Sequence, residues 1–272
     1  MDGRVPWREV ASFTSIAYGL TWAWTGIWIV PRLAGLLAAP ATPSDATVVF
    51  GNPVNHLPGM FGPLLAAIAM RLWISRDGLR GSLRLRCSWR HYAVALFAPM
   101  LVVAIAGLAM VQTGFAQFAR SGGGLLLVAV LVVPESLLGV GEEYGWRGYL
   151  LPRLLPLGEG RATLLLGIIW GLWHLPFVVS GVLLGGYSLG LAVPIHLMAI
   201  ALLAFPFTWL AQATRFSPAA AAVFHGSINW AQQRLIGVLV IGNLLAAIAA
   251  INLAWLLVIL LVYGHRWYRT WR

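Results

Sequence analysis

Two adjacent glutamates stand in the run Gly141-Glu142-Glu143-Tyr144-Gly145-Trp146-Arg147-Gly148, at the end of a long apolar stretch. The chain has only eight acidic residues in 272, and ionisable groups at or within a bilayer carry a free-energy cost that usually marks function. On a helix, neighbours lie about 100° apart, whereas residues four apart share a face. Glu143 therefore faces Arg147, and Glu142 points elsewhere. One reading makes Glu143–Arg147 an ion pair that fixes a helix end. The other makes Glu142 a general base, its pKa expected to rise through desolvation and the like charge beside it.

Two further polar clusters sit in apolar runs. His174, in Trp170-Gly171-Leu172-Trp173-His174-Leu175-Pro176, is thirteen residues beyond Arg161, roughly 20 Å along a helix axis. Trp170 is on its face, and Gly167 and Gly171 permit close approach of another helix. His225 and Asn229 are four apart and present an imidazole and an amide to one side. Both groups can donate to a developing oxyanion, and an imidazole can also bind a metal. The bland reading of each cluster is a polar helix contact, but three clusters on three spans have few partners except one another. His196 has no polar partner at helical spacing and reads as a core residue. Glu135, seven residues before Glu142, falls on nearly the same face.

The elements that must position these groups are membrane helices. The chain is 60% apolar and 10% charged, with fourteen tryptophans, against about 25% charged residues in soluble domains. Eight apolar stretches are expected as spans: 10–31, 56–74, 91–112, 123–145, 162–182, 189–211, 217–233 and 236–263. Prolines at 63, 99, 134, 176, 194 and 206 fall inside them, tolerable where neighbouring helices cover the freed backbone groups. Ser121 to Gly124 read as a flexible loop. Val10 to Val30 is longer than a signal-peptide core and is expected to stay as the first span. No linker separates a second domain, so residues 1–272 read as one integral-membrane domain.

The net charge of +10 is carried by arginine alone, since the chain has no lysine. The arginines cluster at Arg4 and Arg8, in 76–90, in 147–161, at Arg215 and in the tail, all on one side of an eight-span chain. The positive-inside rule then places both termini in the cytoplasm. No soluble basic face is present, which excludes nucleic acid as a partner. A lone cysteine, Cys87, excludes a disulfide framework and a thiolate metal cluster.

The three motifs together resemble one family. Glu142 to Leu150 is similar to its E-E-x-x-x-R motif, Trp170 to His174 to its aromatic-x-x-x-H motif, and His225 to Asn229 to its H-x-x-x-N motif, with matching order over roughly residues 120–235. This is the CPBP family of intramembrane proteases, the CAAX prenyl protease type 2 and bacteriocin-processing (Abi) group. Tryptophan rather than phenylalanine at 170 is the one departure.

The resemblance implies an all-α bundle of about eight membrane helices around a cytoplasm-facing intramembrane cavity, with its protease core at 120–235. It implies an endopeptidase acting on a membrane-associated protein or peptide, with Glu142 and His174 activating water, His225 and Asn229 binding the oxyanion, and Glu143 and Arg147 in support. The family's metalloprotease label raises a zinc ion held by His174, His225 and Glu142, with a metal-independent glutamate as the other route. A non-proteolytic scaffold or immunity-type protein, using the polar cluster for helix packing, is the competing class; a transporter would need an inverted repeat that is not evident. The arginine-only, alanine-rich composition points to a bacterial plasma membrane.

Overall fold

The structure, a computed structural model, describes residues 3–38, 58–118, 132–184, 188–241 and 244–270. Ser121 to Gly124 and the first part of the expected fourth span lie outside them. Ten α-helices are described: α1 (Trp7–Ala38), α2 (Gly62–Ala69), α3 (Trp89–Gln112), α4 (Val132–Gly145), α5 (Leu151–Leu154), α6 (Glu159–Trp173), α7 (Leu175–Leu184), α8 (Leu189–Ala213), α9 (Pro218–Val238) and α10 (Leu244–Thr270). The only strands among the described residues are the antiparallel pair β1 (Ala116–Phe118) and β2 (Leu239–Ile241). The all-α expectation holds. Among the described residues, α3 and α8 are long and apolar enough to cross a membrane.

The helices fall into two compact units. One comprises residues 1–83 and 141–201, the other 84–140 and 202–272, so α4 and α8 contribute to both.

In the first unit, close helix approach is written in small residues. A Cβ on Gly62 would lie 2.1 Å from Thr21 Oγ1 of α1, and one on Gly145 would lie 2.5 Å from the Pro63 carbonyl. Below this contact an aromatic core forms: Phe13 of α1 meets Trp146 edge-on at 5.5 Å and stacks on Tyr149 at 5.2 Å, while Trp146 meets Trp173 of α6 at 5.8 Å. Trp146 and Trp173 are fully buried.

Two proline effects shape the same unit. After Gly145 the chain widens into a π-type turn, Trp146–Leu150, in which the Leu151 N–H reaches back to Trp146 O. Pro152 has no N–H to give Gly148 O; Arg71 Nη2 donates to that carbonyl instead, at 2.8 Å. Such π-turns are frequent at functional sites. The expected fifth span, 162–182, is not one helix: it breaks at His174 into α6 and α7. Pro176 lacks the N–H that Leu172 O would accept, and the His174 N–H covers both Gly171 O and Leu172 O.

In the second unit α9 packs on α3 and on the first part of α4. A Cβ on Gly226 would lie 2.4 Å from Ser136 N, and one on Gly139 would lie 3.0 Å from Ala222 O and 3.2 Å from His225 Cβ. Ser227 donates its hydroxyl to Leu96 O of α3.

Candidate active site

Within the first unit, four motif residues come together around Trp170. Glu142, 2% exposed, accepts a hydrogen bond at Oε2 from Trp170 Nε1 at 2.8 Å. Trp170's own carbonyl lies 2.8 Å from His174 Nδ1. A carbonyl only accepts, so Nδ1 carries the hydrogen, and in a neutral ring the lone pair is then at Nε2. Its face is braced by Trp173, edge-on at 4.7 Å. One residue thus holds both the carboxylate and the imidazole.

The broken helix explains why this is possible. Carbonyls of the last turns of α6 are served by groups from outside the ladder: His174 Nδ1 on Trp170 O, the Tyr18 hydroxyl on Ile169 O, and Trp22 Nε1 on Trp173 O at 3.0 Å. The helix end is satisfied while its last residue is aimed by it.

Glu143 and Arg147 form the expected i,i+4 pair, with Nη1 to Oε1 at 2.8 Å, and both side chains are 0% exposed. The Arg147 guanidinium also lies 4.1 Å from the centre of the Trp170 ring, within cation–π range, and Glu142 adds electrostatic attraction. Arg147 therefore backs the indole that holds Glu142.

A second polar layer, not foreseen from the sequence, anchors the π-turn to the N-terminal helix. Arg153 Nε donates to Glu9 Oε2 at 2.7 Å and its Nη2 to Asp77 Oδ2 at 3.1 Å, with the guanidinium 3.5 Å over the Tyr149 ring. Arg71 joins Asp77 at 2.9 Å. Ser75 and Tyr149 donate to Glu9 at 2.8 and 3.1 Å. These contacts span up to 144 residues, beyond what helical spacing reveals. Burial raises the Glu9 pKa, but Arg153, Ser75 and Tyr149 outweigh it and hold the group below its ordinary 4.5; burial pushes the Tyr149 hydroxyl up to about 12. A carboxylate with a lowered folded pKa stabilises the fold above its ordinary value and loses that contribution as pH falls from about 4.5 through the folded value. Thermal stability in detergent is therefore expected to drop over that acidic window, and Arg153→Met is expected to flatten the drop.

In the second unit, His225 is buried on α9, with Phe207 edge-on to its ring at 5.8 Å; Phe207 in turn meets Phe224 at 4.8 Å. Asn229 is one turn on and partly exposed, and Glu135 is partly exposed in the first turn of α4. Among the described residues, no three His, Cys, Asp or Glu side chains gather into a group that could hold a metal ion. The set His174, His225 and Glu142 draws on both units.

Residues 121–231 match the Rce1-like family, described as type II CAAX prenyl endopeptidase Rce1-like. The chain is 30% identical over 149 residues to a CAAX prenyl protease 2 of Methanococcus maripaludis, covering 53% of each chain. It thus spans about half the length of that curated relative.

Proposed function

We propose that this chain is an intramembrane endopeptidase that hydrolyses a peptide bond in a membrane-associated protein or peptide, as its match over residues 121–231 to the Rce1-like CAAX prenyl endopeptidase family and its likeness to a CAAX prenyl protease 2 support. The observation that carries the reading is Trp170 holding Glu142 through its side chain and His174 through its carbonyl, at 2.8 Å each. A carboxylate and a neutral imidazole fixed to one residue are suited to share the proton of an attacking water.

In this reading Glu142 Oε1 takes a proton from water as its oxygen attacks the scissile carbonyl carbon, with His174 Nε2 accepting a hydrogen bond from the same water. The tetrahedral intermediate collapses when Glu142 returns the proton to the leaving nitrogen. His225 and Asn229 are assigned to the oxyanion from their motif, and Glu143 and Arg147 to support. The proposal extends to about eight membrane spans, a cytoplasm-facing cavity, cytoplasmic termini and a bacterial plasma membrane, with lipid and a membrane-associated substrate as partners. A zinc ion, if His174, His225 and Glu142 bind one, would supply Lewis acidity to the water; no step above passes through it.

Trp170→Phe keeps a ring under Arg147 but removes the donor to Glu142. A hydrogen bond to a charged group contributes about 1.5–3 kcal/mol, so kcat is expected to fall about 10- to 100-fold with KM little changed, as steady-state cleavage kinetics would show. The reading itself is tested by comparing membrane peptides from cells carrying wild-type and Glu142→Ala protein, with and without a chelator. Cleavage products present only with wild type are expected; identical peptide sets would refute it. Products lost on chelation would assign the metal.

A further inference from the structure

Three arginines of the first unit, Arg8, Arg76 and Arg80, are exposed beside the Glu9–Arg153–Asp77 layer. Arg8 and Arg76 are the chain neighbours of Glu9 and Ser75, which are joined at 2.8 Å, and Arg80 is three residues beyond Asp77. Both carboxylates of that layer are engaged by Arg71 and Arg153. Among the described residues the three outer cations therefore have no ion-pair partner. Trp7, next to Arg8, and Trp73, three residues before Arg76, are 54% and 69% exposed. Exposed indoles with arginines suit the headgroup level of a bilayer, where tryptophans anchor and basic side chains meet lipid phosphates.

The loop that carries two of these cations is preformed. Ser75 is bonded to Glu9, and Asp77 to Arg71 and Arg153. Ser82 gives its hydrogen to Leu79 O at 2.7 Å, so at its contact with Tyr144, also 2.7 Å, the tyrosine donates. Arg76 and Arg80 stand between these ties. Arg76 holds a φ of 54°, a left-handed conformation uncommon outside glycine, with a tied residue on either side. Side chains on a backbone already ordered lose less freedom on binding than those of a free loop.

We propose that Arg8, Arg76 and Arg80, with Trp7 and Trp73, form a binding surface for anionic phospholipid headgroups of the bilayer that holds the chain. The guanidinium N–H groups donate to the lipid phosphate. A loose basic loop would attract such lipids by charge alone; this surface holds them in preference to equal charge elsewhere. The proposal rests on the membrane reading above and not on the peptidase chemistry.

The test is native mass spectrometry of the full chain in neutral detergent, giving Kd for phosphatidylglycerol, phosphatidylcholine and free glycerol phosphate. Phosphatidylglycerol is expected to bind tightest, and more weakly as ammonium acetate is raised. Arg76→Gln/Arg80→Gln is expected to weaken it about 30-fold, on the order of fivefold per arginine, while Arg76→Lys/Arg80→Lys keeps most of the affinity. Arg86→Gln/Arg90→Gln removes the same charge from exposed arginines of the second unit and is expected to change Kd by no more than about twofold. Equal losses in the two glutamine pairs would overturn the proposal in favour of a general charge effect. Phosphatidylcholine or glycerol phosphate binding as tightly as phosphatidylglycerol, or binding indifferent to salt in the wild type, would overturn it too. A wild-type chain that stays monodisperse without detergent or lipid would overturn the membrane reading instead, and this proposal with it.

Discussion

Replacing Glu142 by glutamine is expected to abolish peptide cleavage while leaving the folded protein intact. The substitution keeps the size of the side chain and an acceptor for Trp170 Nε1, which now holds Oε2 at 2.8 Å, so packing around this almost fully buried position is undisturbed. It removes the ability to take a proton and, with the charge, the attraction for Arg147. General-base catalysis contributes about 10²–10⁴-fold, and the loss in kcat should fall in or above that range, with the protein still folding cooperatively in detergent. A scaffold that uses Glu142 for helix packing would keep its phenotype with glutamine, so the same variant separates the two classes.

Arg147→Met is expected to have the largest effect on folding. Arg147 and Glu143 are both fully buried and joined at 2.8 Å. Removing the cation leaves a carboxylate buried without its ion-pair partner, a change that costs about 3–5 kcal/mol. It also takes the guanidinium from the face of Trp170, 4.1 Å away. The double variant Glu143→Gln/Arg147→Met removes both charges and is expected to recover most of the stability, though not the support beneath Trp170. Thermal unfolding of the three proteins in detergent checks the order: wild type, then the double variant, then Arg147→Met well below. A single variant as stable as wild type would mean that the pair contributes nothing to the frame.

Much of the site was legible because it is local. The Glu143–Arg147 pair follows from i,i+4 spacing, and so does the divergence of Glu142 from it. Three short motifs carry the resemblance over 120–235, and the Rce1-like family matches residues 121–231. What escaped the sequence is what depends on tertiary geometry or on missing N–H groups. Pro176 reads as one of several tolerated prolines, yet α6 ends beside it at His174, whose N–H turns to Gly171 O and leaves Trp170 O to orient the ring. Pro152 similarly leaves Gly148 O for Arg71, seventy-seven residues away.

The tryptophan at 170 looks like a mild departure from phenylalanine by size; only the fold shows that its N–H reaches a carboxylate 28 residues earlier. His196 reads as core because its ring neighbour, His174, lies outside α8. Apolar runs were counted as eight spans by length, and the described helices that meet the length and hydropathy of a membrane span are α3 and α8.

The central claim is that Glu142 activates water rather than attacking the substrate itself. A single turnover in H₂¹⁸O with hydroxylamine present, using excess enzyme in vesicles and a farnesylated peptide, tests this by mass spectrometry of both product and protein, since hydroxylamine traps an anhydride whichever carbonyl water would attack. The account predicts one ¹⁸O in the new carboxyl group of the product and none in the peptide containing Glu142. Either ¹⁸O in Glu142 or a hydroxamate formed with the hydroxylamine would show an acyl-enzyme intermediate and contradict it.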